Sequence, residues 1–212
     1  MLIDQFGYLV THGSITLFES VLGFLLGGFI AISFAFLFQF FPKTKQAIYP
    51  YAILIKAIPL VALAPLVVLW FKAGLLSKII LAAIISFFPI LVNSVQGLSS
   101  VEPEALDLMA TFSASKWKVL TKLRIPNALP SLFAGMKISS SFAVVGAVVA
   151  EFIGAQRGIG YVIKSSSYYL ETDLTFAAII VAALTGLFFF GTIVLIERKI
   201  VFWQPSSESN VL

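Results

Sequence analysis

Long apolar runs alternate with short polar segments along this chain. The runs cover approximately residues 14–41, 48–71, 79–98, 131–153 and 174–196, and each approaches or exceeds the roughly 20 residues that a helix needs to cross a bilayer. One longer polar segment, residues 99–130, separates the third run from the fourth. The pattern predicts an all-α polytopic membrane protein with one transmembrane domain, residues 1–212, of about five spanning helices.

Composition supports a membrane protein and excludes several kinds of chemistry. Hydrophobic residues make up 59% of the chain and charged residues 11%, whereas soluble domains are about half apolar and a quarter charged. The chain has no cysteine, which excludes disulfides, and its single histidine, His12, argues against a histidine metal site or a Ser-His triad. The net charge of +4 is therefore attributed to lysines kept on the cytoplasmic side of a membrane and not to nucleic-acid binding.

Polar and proline residues inside the runs mark candidate walls of a pathway. Prolines break or kink the second run, and polar side chains at membrane depth usually face a bundle interior or a wet cavity. For each position, simple helix packing is the competing interpretation. Gly23, Gly27 and Gly28 form a small-residue face that favours close helix packing. The pathway and gate candidates are Pro59, Pro65, Asn93, Ser140 and Glu151.

The distribution of basic residues predicts the orientation. If the long polar segment is cytoplasmic, most of the 14 basic residues lie on its side, which agrees with the positive-inside rule. The exceptions are Lys72, Lys78, Arg157 and Lys164. Five spans then place the N-terminus outside and the C-terminus in the cytoplasm. An outside N-terminus without a basic leader is unusual and indicates that one earlier span is missing.

The segment 102–130 reads as a binding element made of two short helices. Pro103 suits the first turn of a helix, and the small residues 113–115 form a bend in which a serine can cap the second helix. We expect that second helix to end near Arg124, where Pro126 stops it, and we expect Pro130 to start the next span. Such a helix is too short to span a membrane, but it can lie in the interface or fit a groove in a partner. Charge and periodicity alone leave docking on anionic lipid and docking on a protein equally open.

The spacing of this segment resembles the EAA loop of permease subunits of binding-protein-dependent ABC importers. Residues 107–109 (DLM) take the acidic-small-small place, Ser113 takes the glycine place, and after nine residues 123–126 (LRIP) match the end of the motif. The glycine and both alanines are replaced, and aspartate stands for glutamate. Further blocks, such as 87–98 (FFPILVNSVQGL) and 148–163 (VVAEFIGAQRGIGYVI), are similar to the nitrate, sulfonate and taurine branch. The resemblance covers about residues 14–199, and family members usually carry one more span before it.

The resemblance implies a fold, a set of partners and a site. The fold is the type I ABC importer permease fold with a cytoplasmic coupling-helix loop, in the inner membrane. The partners are two ABC ATPase subunits, an extracytoplasmic solute-binding protein and a second, identical copy of the permease. The chain itself hydrolyses nothing, carries no GxxxxGK[ST] phosphate loop and needs no cofactor, since ATP and Mg²⁺ belong to the ATPase subunits. The implied ATPase-coupling residues are Asp107, Phe112, Ser113, Ala114, Lys116, Trp117, Lys118, Leu123 and Pro126.

Within this segment the aromatic residues are the expected apolar anchors, and three basic residues are expected to face the ATPase. Phe112 and Trp117 are the anchors, because aromatic side chains dominate interface energetics. Lys116, Lys118 and Arg124 are the expected partners of acidic groups on the ATPase.

Two other functions compete with the importer permease. An ion-coupled secondary transporter would need an ionisable pair at membrane depth, for which Lys56 and Glu151 are the nearest candidates, although they lie toward opposite faces. A structural membrane subunit without a pathway is the second alternative. The solute is not determined: sulfonates, nitrate, bicarbonate and vitamin precursors are all candidates, because the spans carry no inward-facing arginine that would indicate an anionic solute.

Overall fold

The computed structural model describes residues 2–41, 43–47 and 59–203, and every regular element within these ranges is a helix. The long helices form the bundle that the hydropathy pattern predicts. The α-helices are α1 (Leu2–Phe40), α2 (Leu60–Phe71), α3 (Leu75–Ser99), α4 (Pro103–Thr111), α5 (Lys116–Val119), α6 (Ile125–Gly154), α7 (Ile159–Tyr168) and α8 (Thr172–Ile200), and a π-helical turn, Leu120–Arg124, joins α5 to α6.

Four of the described helical stretches are long and apolar enough to cross a membrane. They are Gln5–Phe40, Leu75–Ser99, Lys116–Gly154 and Thr172–Ile200. The second predicted span, 48–71, is described only in part: residues 48–58, with Lys56, lie outside the described residues. Its described part is the twelve-residue helix α2, which starts after Pro59 and contains Pro65.

The helix ends differ from the predicted spans at several places. Helix α1 begins at Leu2, twelve residues before the predicted start. Residues 2–13 contain no proline that would end the helix, and Leu9 is buried against Ile159 and Ala178. Helix α8 likewise continues to Ile200, with Arg198 and Lys199 in its last turn, where cations interact favourably with the helix dipole.

Helices α3 and α6 form the centre of the bundle, with α1 and α8 packed around them. Two of the three predicted packing glycines, Gly23 and Gly27, lie so close to Ala82 and Ala83 of α3 that an added methyl group would meet the α3 backbone. Gly135 of α6 lies equally close to the Pro89 carbonyl. Small residues therefore set the spacing of the central helices, as the sequence predicts.

Two sets of contacts define the two ends of the bundle. The C-terminal ends of α1 and α3 meet the segment before α6 through Arg124, which bonds Gln39 and Leu98. Lys137 of α6 pairs with Glu197 of α8 at 2.9 Å, so the C-terminal end of α8 lies toward the same end as the polar segment. The N-terminal half of α1 lies at the opposite end.

At that opposite end the chain forms a helix that the sequence analysis did not predict. Residues 154–173 read as a polar, turn-rich segment, but α7 occupies ten of them. Its apolar face buries Ile159 and Val162 against Leu9 and Ala178. The apolar face is hard to recognise in the sequence, because a glycine, a lysine and three consecutive serines make up half of the ten residues.

Candidate functional site

The bend of the polar segment is a helix C-cap of the Schellman type. Ser113 has a φ of 52°, in the left-handed region that glycine adopts most readily. The Ser113 amide donates to the Ala110 carbonyl at 2.9 Å, and the Ala114 amide donates to the Met109 carbonyl at 3.0 Å. These two bonds satisfy the last carbonyls of α4. The glycine place of the motif is therefore a position of positive φ, and Ser113 adopts that conformation.

Ser115, one of the two serines in the predicted bend, caps the second short helix. The Ser115 hydroxyl accepts a hydrogen bond from the Lys118 amide at 3.3 Å. The bend and the first turn of α5 present two large aromatic side chains to the outside: Phe112 is 76% exposed and Trp117 is 65% exposed. The remaining predicted residues at this surface, Asp107, Lys116 and Lys118, are also exposed, and Ala114 is half-buried.

The end of the segment differs from the prediction. Pro126 was expected to stop the second helix, and Pro130 to begin the next span, but the chain stays helical from Lys116 to Gly154. The π-helical turn is the reason: the Ile125 amide bonds the Leu120 carbonyl, five residues back. Pro126 then falls in the first turn of α6, where a missing amide proton removes no helical bond. Leu123, in the π turn, is half-buried.

Arg124 also points away from the predicted direction. It was expected to face the ATPase, but it is half-buried and its Nη1 donates to Gln39 Oε1 at 3.0 Å and to the Leu98 carbonyl at 2.8 Å. Trp117 makes an additional inward contact, because its ring stacks on Phe40 with centroids 6.3 Å apart. The polar segment is thus fixed to the ends of α1 and α3 while its bend stays open.

The predicted pathway residues are not brought together. Asn93 is half-buried and lines a cavity of about 590 Å³ between α2, α3 and α6, where its Nδ2 donates to the Pro89 carbonyl at 2.8 Å. Ser140 is buried and bonds the Lys137 carbonyl of its own helix. Pro65 is exposed on α2, and Pro59 immediately precedes that helix. Of the candidates, Asn93 alone lines this cavity, whose other described walls are apolar.

Glu151 belongs to a buried polar network at the opposite end of the bundle. It is 0% exposed, and its carboxyl accepts from the Thr16 hydroxyl at 2.7 Å and from the Gly160 amide at 2.6 Å. The next two amides are satisfied by α1: Ile159 donates to Thr16 Oγ1 at 2.8 Å, and Gly158 donates to His12 Nδ1 at 3.0 Å. These are the first amides of α7, which have no partner within a helix, so three distant side chains cap α7.

An ion pair lies one helical turn further along α1. Lys78 Nζ is 2.7 Å from Glu19 Oε1, and the Glu19 side chain is 2% exposed. The sequence pattern offered Lys56 and Glu151 as the nearest candidates for an ionisable pair, although toward opposite faces, and it did not predict that Glu19 pairs with Lys78. The signal was available in Glu19, because a carboxylate inside an apolar run requires a partner, but the partner is 59 residues away.

Comparison with known proteins identifies the family. Residues 23–202 match the family model described as "Binding-protein-dependent transport system inner membrane component". The chain is 38% identical over 170 residues to a probable ABC transporter permease protein of Haemophilus influenzae, covering 80% of this chain and 69% of that protein. It is 39% identical over 162 residues to a riboflavin transport system permease protein of Chloroflexus aurantiacus, covering 76% of this chain and 60% of that one.

Two further similarities extend over most of the chain. A putative aliphatic sulfonates transport permease protein of Bacillus subtilis is 32% identical over 202 residues, covering 95% of this chain and 73% of that protein. A solved structure described as inward-facing conformations of the MetNI methionine ABC transporter matches with a TM-score of 0.78 at 15% identity, covering 93% of this chain and 98% of the other. At that identity the match shows the fold, which is the one that the resemblance implied.

The family decides between the three functions that the sequence left open, in favour of a transport permease over a secondary transporter or a structural subunit. The match, residues 23–202, covers the central helices, the polar segment and Glu151. The chain belongs to the binding-protein-dependent transport system inner membrane component family, whose members are permease subunits of ABC importers.

Proposed function

We propose that the chain forms the translocation pathway of an ATP-driven importer as one of two identical copies, and that residues 103–126 dock on the ATPase subunits. A binding protein outside the membrane would deliver the solute. The family description supports both kinds of partner. The observation that carries the docking assignment is the exposure of two large aromatic side chains, Phe112 and Trp117, on a bend fixed by its backbone bonds.

The shape of this surface supports a protein partner better than a lipid surface. Phe112 projects from a rigid C-cap next to the cations Lys116 and Lys118, all exposed on a short stretch of chain. Buried aromatic anchors surrounded by polar groups are typical of the energetic centre of a protein interface. Asp107 adds an exposed carboxylate to the same surface, which anionic lipid would repel.

The ends of the bundle support an orientation with the N-terminus outside and the C-terminus in the cytoplasm. The docking surface lies at the same end as the C-terminal ends of α1, α3 and α8, because Arg124 and Lys137 join them. The basic residues concentrate at that end, as expected for the cytoplasmic side. Glu151, Arg157 and the turn before α7 then lie at the outer end, and the cavity beside Asn93 lies between the two ends.

The solute is proposed only as a small molecule selected by the binding protein. The named relatives transport riboflavin and, putatively, aliphatic sulfonates, which differ in charge and size. The described walls of the cavity between α3 and α6 are apolar except for Asn93. Among these described residues there is no charged group that would retain one of these solutes in preference to another.

The docking assignment is tested by recovery of the ATPase subunit with the tagged permease. Phe112→Ala should reduce recovery strongly, because removing a central aromatic anchor typically costs about 2 kcal/mol or more of binding free energy. Tyr168→Ala is the matched control, since Tyr168 is an equally exposed aromatic residue (81%) at the opposite end of the bundle. Equal recovery with Phe112→Ala and Tyr168→Ala would show that the bend does not dock on the ATPase.

A further inference from the structure

Arg124 is the one side chain of the described polar segment that bonds two other long helices at once. Its Nη1 donates to Gln39 Oε1 at the end of α1 and to the Leu98 carbonyl in the last turn of α3. The last four carbonyls of a helix have no partner within the helix, and a cation there also interacts favourably with the helix dipole. Arg124 therefore satisfies a specific need of α3 while it binds α1.

The connection from the docking surface to α6 is of a different kind. The helix runs from Lys116 to Gly154 with a single irregularity, the π-helical turn Leu120–Arg124. Single π turns interrupt α-helices mostly at functional sites, because they locally weaken the regular bonding. Movement of α5 thus reaches α6 through the backbone, but it reaches α1 and α3 only through side chains.

Several side chains make this contact. Leu120 of the π turn is buried in one apolar cluster with residues of α1 and α3. Besides Arg124, Trp117 stacks on Phe40 of α1, and Asn127 Nδ2 donates to the Ser100 hydroxyl just after α3 at 3.1 Å. The Trp117 ring is largely exposed and the Asn127–Ser100 bond is solvent-accessible. The Arg124 bonds are the partly buried ones, and bonds to a charged donor are stronger than neutral ones.

We propose that Arg124 is a positioning residue that transmits movement of the docked segment to α1 and α3, and so couples the ATPase to the cavity between α3 and α6. The inference rests on the proposed docking of residues 103–126. It assigns to Arg124 a role in coupling and not in assembly, because its guanidinium points into the bundle and away from the docking surface. Loss of Arg124 should therefore leave the complex assembled, but the cavity should no longer open or close in response to nucleotide.

Because the chain has no cysteine, the proposed role of Arg124 can be tested without a known solute. Val145→Cys places one thiol in the wall of the cavity, at a side chain that is exposed in the single chain. The permease–ATPase complex in lipid vesicles is alkylated with N-ethylmaleimide, with and without ATP and orthovanadate. Reaction requires the thiolate and hence water at the site, so the alkylation rate reports whether the cavity opens or closes. We expect a nucleotide-dependent rate in the parent complex.

The variants separate coupling from assembly. Arg124→Ala should keep ATPase recovery and lose the nucleotide-dependent change in alkylation, and Arg124→Lys should restore part of that change because one bond can re-form. Lys122→Ala is the control, since Lys122 is an exposed cation in the same π turn. If Arg124→Ala does not accumulate in the membrane, Gln39→Leu, which removes one of the two acceptors, should show a reduced nucleotide response.

The outcomes distinguish this inference from the proposed function. A complex with Arg124→Ala that assembles and responds to nucleotide like the parent would overturn the role of Arg124 and leave docking untouched. The role of Arg124 would also be overturned if the alkylation rate of the cavity thiol in the parent complex did not change with nucleotide. Loss of ATPase recovery in Arg124→Ala but not in Phe112→Ala would refute both, because the binding surface would then lie around Arg124 and not at the bend.

Discussion

Glu151→Ala should destabilise the protein more than most single substitutions, because the carboxyl caps a helix from a fully buried position. The substitution removes the bonds from the Thr16 hydroxyl and the Gly160 amide. A buried donor left without its acceptor costs about 1–3 kcal/mol, and the substitution leaves two such donors. The middle of the resulting range gives a loss of about 3–5 kcal/mol in the free energy of unfolding.

The loss is measurable as a shift in the melting temperature of the purified protein. For chains of this length, 1 kcal/mol corresponds to roughly 2–4 °C, so the midpoint should fall by about 6 °C or more. Intrinsic tryptophan fluorescence in detergent follows the transition. Glu151→Gln should lie between the parent and Glu151→Ala, because its amide oxygen still accepts one of the two bonds.

The control is Glu171→Ala, which removes an exposed carboxylate just before α8 and should leave the midpoint unchanged. A Glu151→Ala protein that melts within about 2 °C of the parent would mean that the amides of α7 find other partners. The cap provided by α1 and α6 would then contribute little, and the reasoning from buried bonds would be wrong.

Two further predictions concern the packing of α1 on α3, both measured by the same thermal transition. Gly27→Ala should destabilise the protein by about 1–3 kcal/mol through overpacking, because its added methyl group meets the Ala83 backbone. The control is Gly186→Ala, whose added methyl group meets no neighbour and should not destabilise the protein. Equal melting midpoints for the two variants would refute the close approach of α1 and α3. Lys78→Met should cost about 3–5 kcal/mol by leaving Glu19 buried without its cation, and the double variant Lys78→Met with Glu19→Gln should recover part of this loss. A double variant no more stable than Lys78→Met alone would contradict the pairing.

The hydropathy pattern predicts the long helices well but not where they end. An apolar run identifies the part of a helix that requires burial or lipid, while helix ends depend on backbone bonds that polar residues also make. Helix α1 therefore extends to Leu2 and α8 to Ile200, and α6 passes through Pro130. In the last case the helix continues through a proline, against the local rule that proline ends a helix.

The polar segment could be predicted in more detail than the buried network because its determinants are local. Pro103, the bend at Ser113 and the cap at Ser115 each act within five residues of chain, and the structure has all three. The network joins His12 and Thr16 to residues more than 130 positions away. Sequence spacing carries no information on such contacts, so only the type of residue, a carboxylate inside an apolar run, indicated that a partner exists.

Helix α1 connects the two sites that this structure defines. At its N-terminal half, His12 and Thr16 cap α7 beside Glu151. At its C-terminal end, Gln39 and Phe40 contact the segment 116–124. Its 39 residues contain no proline, and at 1.5 Å per residue they extend roughly 58 Å, well beyond a hydrocarbon core of about 30 Å. Because no proline interrupts α1, we expect it to transmit a displacement along its length. A displacement of the segment 116–124 is therefore expected to act through α1 on the turn before α7, and the Arg124 and Glu151 variants examine the two ends of that connection.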